Sequence, residues 1–225
     1  MPVVFLTGAN RGIGFEFARQ YVAEGWRVIA AVRDPSRAET LRSLPGKVEI
    51  HALDVTDFDA ASRFGETLRD EAIDVLIANA GVSGPREMSL HHIAGDAWAE
   101  VFRVNAMAPL AIAGALRTQV ARSVQRKAIA VSSRLGSVAA NNEGGLYAYR
   151  SSKAALNAVW KSFAIDHPGL IAAVLHPGWV RTDMGGASAP VLPPDSVAGM
   201  RRVIAGLSPH DTGGFFDYTG ASLPW

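Results

Sequence analysis

The sequence predicts a doubly wound α/β fold, a parallel sheet of about seven strands with helices on both faces. Three observations carry this reading. Short apolar runs rich in β-branched residues alternate with longer stretches of helical period, a glycine-rich turn follows the first run, and the chain holds enough apolar side chain for one large core. Of 225 residues, 48% are hydrophobic and 19% charged, which disfavours disorder. The length lies near the upper end of what one core supports, so a single domain spanning 1–225 is expected.

The runs at 3–6, 28–32, 48–53, 75–78, 128–132, 171–176 and 214–218 read as strands. Between the first two, Ile13, Phe17 and Tyr21 recur at i, i+4, i+8 beside Ala18 and Val22, a helix with one face towards a sheet that Gly25 ends. Helical spacing also marks 57–70, where Phe58, Ala61, Phe64 and Leu68 share a face, and 95–122, 149–165 and 195–206. Right-handed crossovers then place helices on both sheet faces. Residues 184–194 pack Gly, Ala and Pro without any period and read as a mobile loop of lid length, with a plain surface connection as the alternative.

Twenty-two basic residues against 21 acidic ones, with no run of like charge, leave no nucleic-acid or membrane footprint. The absence of cysteine excludes disulfides, thiolate metal sites and a cysteine nucleophile. The first apolar run is too short for a signal peptide, so a cytoplasmic location is expected.

Directly after the first strand stands TGANRGIG, with Gly8, Gly12 and Gly14 spaced G-x3-G-x-G and a helix starting inside the motif. Glycine there permits a sharp strand-to-helix turn, close approach of backbone N–H groups to a pyrophosphate, and tight helix packing. Plain loop glycines are the competing reading, which the position after the first strand of an alternating pattern disfavours. At the end of the second strand an NAD enzyme typically has an acid for the ribose 2′-hydroxyl. Here Val32 takes that place and Arg33 follows, while Arg11 lies in the glycine turn. Two guanidiniums suit a 2′-phosphate, so NADP(H) is expected, with NAD(H) and Asp34 on the ribose as the alternative.

Tyr149 and Lys153 stand at i, i+4 on one helix face. A phenol, with a reference pKa of about 10, exchanges protons poorly at neutral pH, and a fixed ammonium favours its ionised form. The same spacing occurs in many helices as a solvated surface pair. Tyr147 is the weaker choice, because Ser151 rather than a cation lies four residues on. Ser132 and Ser133 end the fifth strand, where serines also act as caps.

TGANRGIG, Asn79-Ala80-Gly81, Ser132-Ser133-Arg-Leu-Gly136, Tyr149-x-x-x-Lys153 and HPGWVRTDM, in that order, resemble the short-chain dehydrogenase/reductase family. The resemblance implies a Rossmann-type fold in which Asn10, Arg11, Ile13 and the glycines line the adenosine and pyrophosphate end. It likewise implies that Asp54 and Val55 meet the adenine, that Asn79, Ala80 and Gly81 flank the cofactor, and that Pro177, Val180 and Thr182 meet the nicotinamide carboxamide. Ser133 is expected to hold the substrate oxygen, Tyr149 to donate the proton, Lys153 to bind the nicotinamide ribose and lower the phenol pKa, and Asn105, matching the family's helix-bending asparagine, to hold a water relaying protons to the lysine. Ala78, where the family usually has asparagine, is a small departure. The long gap between Ser133 and Tyr149, filled by N-N-E-G-G, resembles the carbonyl-reductase branch with sniffer-like and C-factor-like members. A carbonyl reductase acting on an aldehyde, ketone or quinone is implied, and a homodimer is expected. A dinucleotide-binding signalling protein and an NAD-dependent alcohol dehydrogenase are the alternatives. Met88, His91, Tyr147, Trp179 and Met184 are guesses at the substrate lining. His91 and His92 lack a third ligand at metal spacing, and no metal is expected.

Overall fold

The computed structural model describes residues 1–85, 91 and 93–225, so the readings placed on Met88 and His92 lie outside the described residues. Seven strands form one parallel sheet: β1 (Val3–Thr7), β2 (Arg27–Val32), β3 (Val48–Ala52), β4 (Val75–Ala78), β5 (Lys127–Val131), β6 (Ile171–His176) and β7 (Phe215–Asp217). Their order across the sheet is β3-β2-β1-β4-β5-β6-β7. The order reverses between β1 and β4, which opens a crevice at their C-terminal ends, the place where ligands bind in such sheets.

Alternate side chains of each strand feed two cores, one on each face. On one, Phe5, Leu76, Ala130 and Val174 meet α3 (Phe58–Thr67), α5 (Ala108–Arg122) and α6 (Tyr147–Asp166) through Ala61, Leu116, Leu156 and Trp160. On the other, Leu6, Ala30, Ile129 and Leu175 meet α1 (Gly12–Ala23), the short α2 (Glu39–Arg42) and α7 (Pro193–Gly206) through Phe17, Leu41, Val197 and Met200. Burial on both faces explains why the strands read as continuous apolar runs rather than alternating ones.

Three expectations are corrected. The stretch 95–122 is not one regular helix: α4 (Gly95–Phe102) passes through a π-helical turn at Arg103–Met107 before α5 begins. Its length and apolarity suffice to cross a bilayer, yet Ile112, Ala113, Leu116 and Val120 pack in the core. Helix α6 starts two residues early, at Tyr147. The loop at 184–194 is shorter than expected, because Pro193 and Pro194 form the first turn of α7, where the missing N–H costs nothing. Val191 also forms an isolated bridge with Val180.

Candidate active site

Because all strands are parallel, the turns after β1, β3, β4, β5 and β6 emerge at one edge of the sheet. Those turns carry nearly every residue singled out from the sequence. Around the first, Gly8 and Gly12 adopt φ of 67° and 55°. A Cβ on Gly14 would lie 2.1 Å from the Gly8 carbonyl oxygen, so only glycine lets α1 start this close to β1. Helix α1 has no side-chain cap and no acidic residue in its first turn. Its first N–H groups therefore face outward without intrahelical partners, a donor set that suits a pyrophosphate.

Thr7, which sequence reasoning passed over, fixes the neighbouring turn. Its buried hydroxyl accepts from the backbone N–H groups of Asn79 (3.0 Å) and Ala80 (3.1 Å), while the Asn79 amide donates to the Thr7 and Gly8 carbonyls at 3.0 and 3.3 Å. Asn79 thus ties the two turns flanking the crevice together. At the adenosine end Arg33 is exposed, and the Asp34 carboxylate caps a short 3-10 turn by accepting from the Ser36 N–H and hydroxyl. Asp54 likewise accepts from the Thr56 N–H and hydroxyl, bonds that hold its carboxyl below the usual range. Arg11 does not turn towards Arg33: its guanidinium pairs with Asp183 at 3.0 Å, and both side chains are largely exposed.

The chemistry-bearing groups converge on α6. Gly136 permits this, since a Cβ there would come within 2.7 Å of the Lys153 backbone carbonyl carbon. The 3-10 turn Arg134–Gly136 therefore seats the Ser133 loop directly on the helix, and the Ser133 hydroxyl accepts from the Leu135 N–H at 3.1 Å. Lys153 is buried, and its ammonium donates to the Val131 carbonyl at 2.9 Å. Burial lowers its pKa to about 8. Asn105, fully buried within the π-helical turn, accepts from the Val82 N–H and donates to the Val82 carbonyl and the Ser152 hydroxyl. A Cβ on Gly81 would meet Asn105 Oδ1 at 3.3 Å and Lys153 Nζ at 3.7 Å, so the turn after β4 also reaches this cluster.

One electrostatic expectation is corrected. Burial raises the pKa of the half-buried Tyr149 above its ordinary value, and the neighbouring Ser133 hydroxyl, not Lys153, acts in the other direction. The Lys153 ammonium lies 5.9 Å from the Tyr149 ring centroid and is directed to a backbone carbonyl. Tyr147 stands at the helix start, 44% exposed. After β6, Ser196 donates to the Pro177 carbonyl, Val180 is buried, and the Thr182 hydroxyl accepts from the Gly185 N–H. Thr182 also lies beside the glycine turn, 3.5 Å from where a Gly12 Cβ would stand. Trp179 is exposed and donates its indole N–H to the Gly185 carbonyl.

A glycine cradle at the switch point, with tyrosine, lysine, serine and asparagine gathered beside it, is the layout of a dinucleotide-dependent oxidoreductase. The chain belongs to the short chain dehydrogenase family, whose model matches residues 2–190. Over 159 residues it is 48% identical to the C-signal protein of Myxococcus xanthus, a match covering 68% of this chain and 93% of that protein. Among solved structures, the carbonyl reductase Sniffer of D. melanogaster superposes with a TM-score of 0.89 at 32% identity, covering 100% of this chain and 99% of that one. The NADPH-bound carbonyl reductase from chicken fatty liver gives a TM-score of 0.88 at 34% identity over the whole of both chains. The family and the branch expected from the motifs are the ones that match.

Proposed function

We propose that this chain is an NADPH-dependent carbonyl reductase in which Tyr149 donates the proton. The observation that carries this reading is the packing of the Ser133 turn onto α6 beside Tyr149 and Lys153, at the edge of the sheet that also presents the glycine cradle. Ser133 holds the substrate oxygen and directs it at the phenol. A tyrosine whose pKa is raised by burial stays protonated at neutral pH and gives its proton only to a strongly basic oxygen, as an alkoxide is. When bound, NADPH supplies the hydride.

Lys153 serves as donor to the nicotinamide ribose, and Asn105 fixes the π-helical turn beside it. The remaining cofactor ligands are Gly8, Asn10, Arg11, Gly12, Ile13, Gly14, Arg33, Asp54, Val55, Asn79, Ala80, Gly81, Pro177, Val180 and Thr182. NADP(H) is favoured over NAD(H) because Arg33 is exposed at the end of β2 while Asp34 is engaged by Ser36. The segment after Thr182 acts as the lid over the substrate. A homodimer through α5 and α6 fits their outer faces, where Leu110, Gly114, Val159 and Phe163 line an open groove of about 320 Å³. The cytoplasm supplies the reduced cofactor this reading needs.

A panel of aldehydes, ketones and quinones followed by cofactor absorbance tests the reading. Turnover with NADPH exceeding that with NADH is expected. The Tyr149→Phe variant should lose at least 100-fold in kcat, a general acid being worth about 10²–10⁴, with NADPH affinity nearly unchanged. The similarity to C-signal favours a second reading, a signalling protein that binds the dinucleotide with little turnover. A biological role that survives Tyr149→Phe selects that reading.

A further inference from the structure

Helix α6 continues the stripe of Tyr149 and Lys153 by one more turn to Asn157, at i+8, which is buried. The carbonyl oxygen of its side chain accepts from the Ser132 hydroxyl at 2.7 Å. Ser132 immediately precedes Ser133, so this bond pins the end of β5 to the helix that carries the catalytic tyrosine. Pairing between β5 and β6 runs to Val131↔Leu175, and the Ser132 N–H still donates to the Leu175 carbonyl at 2.8 Å. Ser132 therefore stands beside His176, and His176 is paired with Asp217 on β7. Neighbours in register project from the same face of a sheet. Since Ser132 faces α6, His176 faces it as well, alongside Asn157.

On this face of the sheet, one atom on α6 and one on β6 are buried and have no hydrogen-bond partner among the described residues: Asn157 Nδ2 and His176 Nδ1. The first is a donor. Burial lowers the His176 pKa to about 4, with Asp217 opposing and Arg134 adding to the shift, so the imidazole is neutral at pH 7. With its proton on Nε2, Nδ1 is an acceptor. A buried unpaired polar atom costs about 1–3 kcal/mol, and native structures satisfy nearly all of them, often with an internal water.

We infer that Asn157 and His176 form a buried water-binding site, in which one water accepts from Asn157 Nδ2 and donates to His176 Nδ1. The water completes the bonding of Asn157, Asn157 holds Ser132, and Ser132 sets the direction of the Ser133 hydroxyl. Asn157 and His176 are positioning residues. Their effect on turnover rests on the proposed role of Ser133, whereas the water site does not.

A crystal structure of the whole chain at a resolution that orders internal waters is the first test. It should show a water within hydrogen-bond distance of both atoms, and a dry gap or direct contact between the two side chains overturns the site. The second test is kinetic. The His176→Leu variant removes the acceptor but leaves the Ser132–Asn157 bond, and should lower kcat about tenfold, the scale of a sub-ångström misplacement. Its NADPH affinity, read from tryptophan fluorescence, should match the wild type, and His176→Gln, which keeps an acceptor, should restore kcat to within about twofold. Equal kcat in His176→Leu and the wild type overturns the positioning role. If the wild type reduces no carbonyl, the proposed activity fails while the crystallographic test of the water site still decides the inference.

Discussion

Lys153 is held in the fold against its own solvation. A fall in pKa from 10.5 to about 8 corresponds to a net cost of about 3 kcal/mol from burial, even with the ammonium bonded to the Val131 carbonyl. Below pH 8 both the folded and unfolded chains carry the proton, so the folded state bears the whole cost. Between pH 8 and 10.5 the folded chain releases it first, the unfolded chain binds more protons, and stability from this group rises with pH. Lys153→Met keeps most of the volume and removes the charge, at the expense of an unpaired Val131 carbonyl. It should be more stable than the wild type by about 1 kcal/mol at pH 7, with catalysis lost. Thermal melts at pH 7 and pH 10 check this, since the advantage should shrink at the higher pH. A variant less stable than the wild type at pH 7 would sink the account. Tyr149 carries the complementary lesson. Its spacing to Lys153 was legible in the sequence, but burial, which dominates its acidity, belongs to the assembled fold.

Two elements meet across the cofactor crevice through Arg11, in the turn before α1, and Asp183, after β6. Nothing in the sequence links positions 172 residues apart, so Arg11 read there as a free partner for a 2′-phosphate. In the structure Asp183 competes for the same guanidinium. With both side chains largely exposed, the pair is worth at most about 1 kcal/mol, weak enough that on the proposed reading a 2′-phosphate would displace it. Asp183→Asn should therefore raise NADPH affinity about two- to fivefold at low salt and leave NADH affinity unchanged. Equal gains for both cofactors would show that Asp183 acts on something other than the 2′-phosphate. The bend at Asn105 was an expectation from the family resemblance, but its π-helical form at Arg103–Met107 was not legible in the sequence. What holds the turn is Asn105 bonding both polar groups of Val82, a contact made only once the chain has folded.

At the scale of the whole molecule, the strand runs, the glycine turn and the parallel crossover pattern were legible because both sheet faces are buried and each strand writes a continuous apolar run. The loop before α7 shows two causes of correction: the helix starts early by a local rule, proline in its first turn, while the Val180–Val191 bridge is a non-local contact. Trp160 joins these levels. It is fully buried on α6 in the core shared with α3 and α5, packs on Phe163 at 5.3 Å, and its indole N–H has no partner among the described residues. Two opposing quantities decide its replacement. Trp160→Ala opens a cavity in a close-packed layer and should cost about 3–5 kcal/mol, which for a domain of this size lowers Tm by roughly 6–20 °C. Trp160→Phe loses less volume and also removes the unpaired donor, a gain of about 1–3 kcal/mol that offsets much of the smaller cavity. The phenylalanine variant should therefore lie within about 2 kcal/mol of the wild type in urea denaturation. If instead it is as unstable as the alanine variant, the indole N–H is bonded in solution, and a water must reach the core beneath α6.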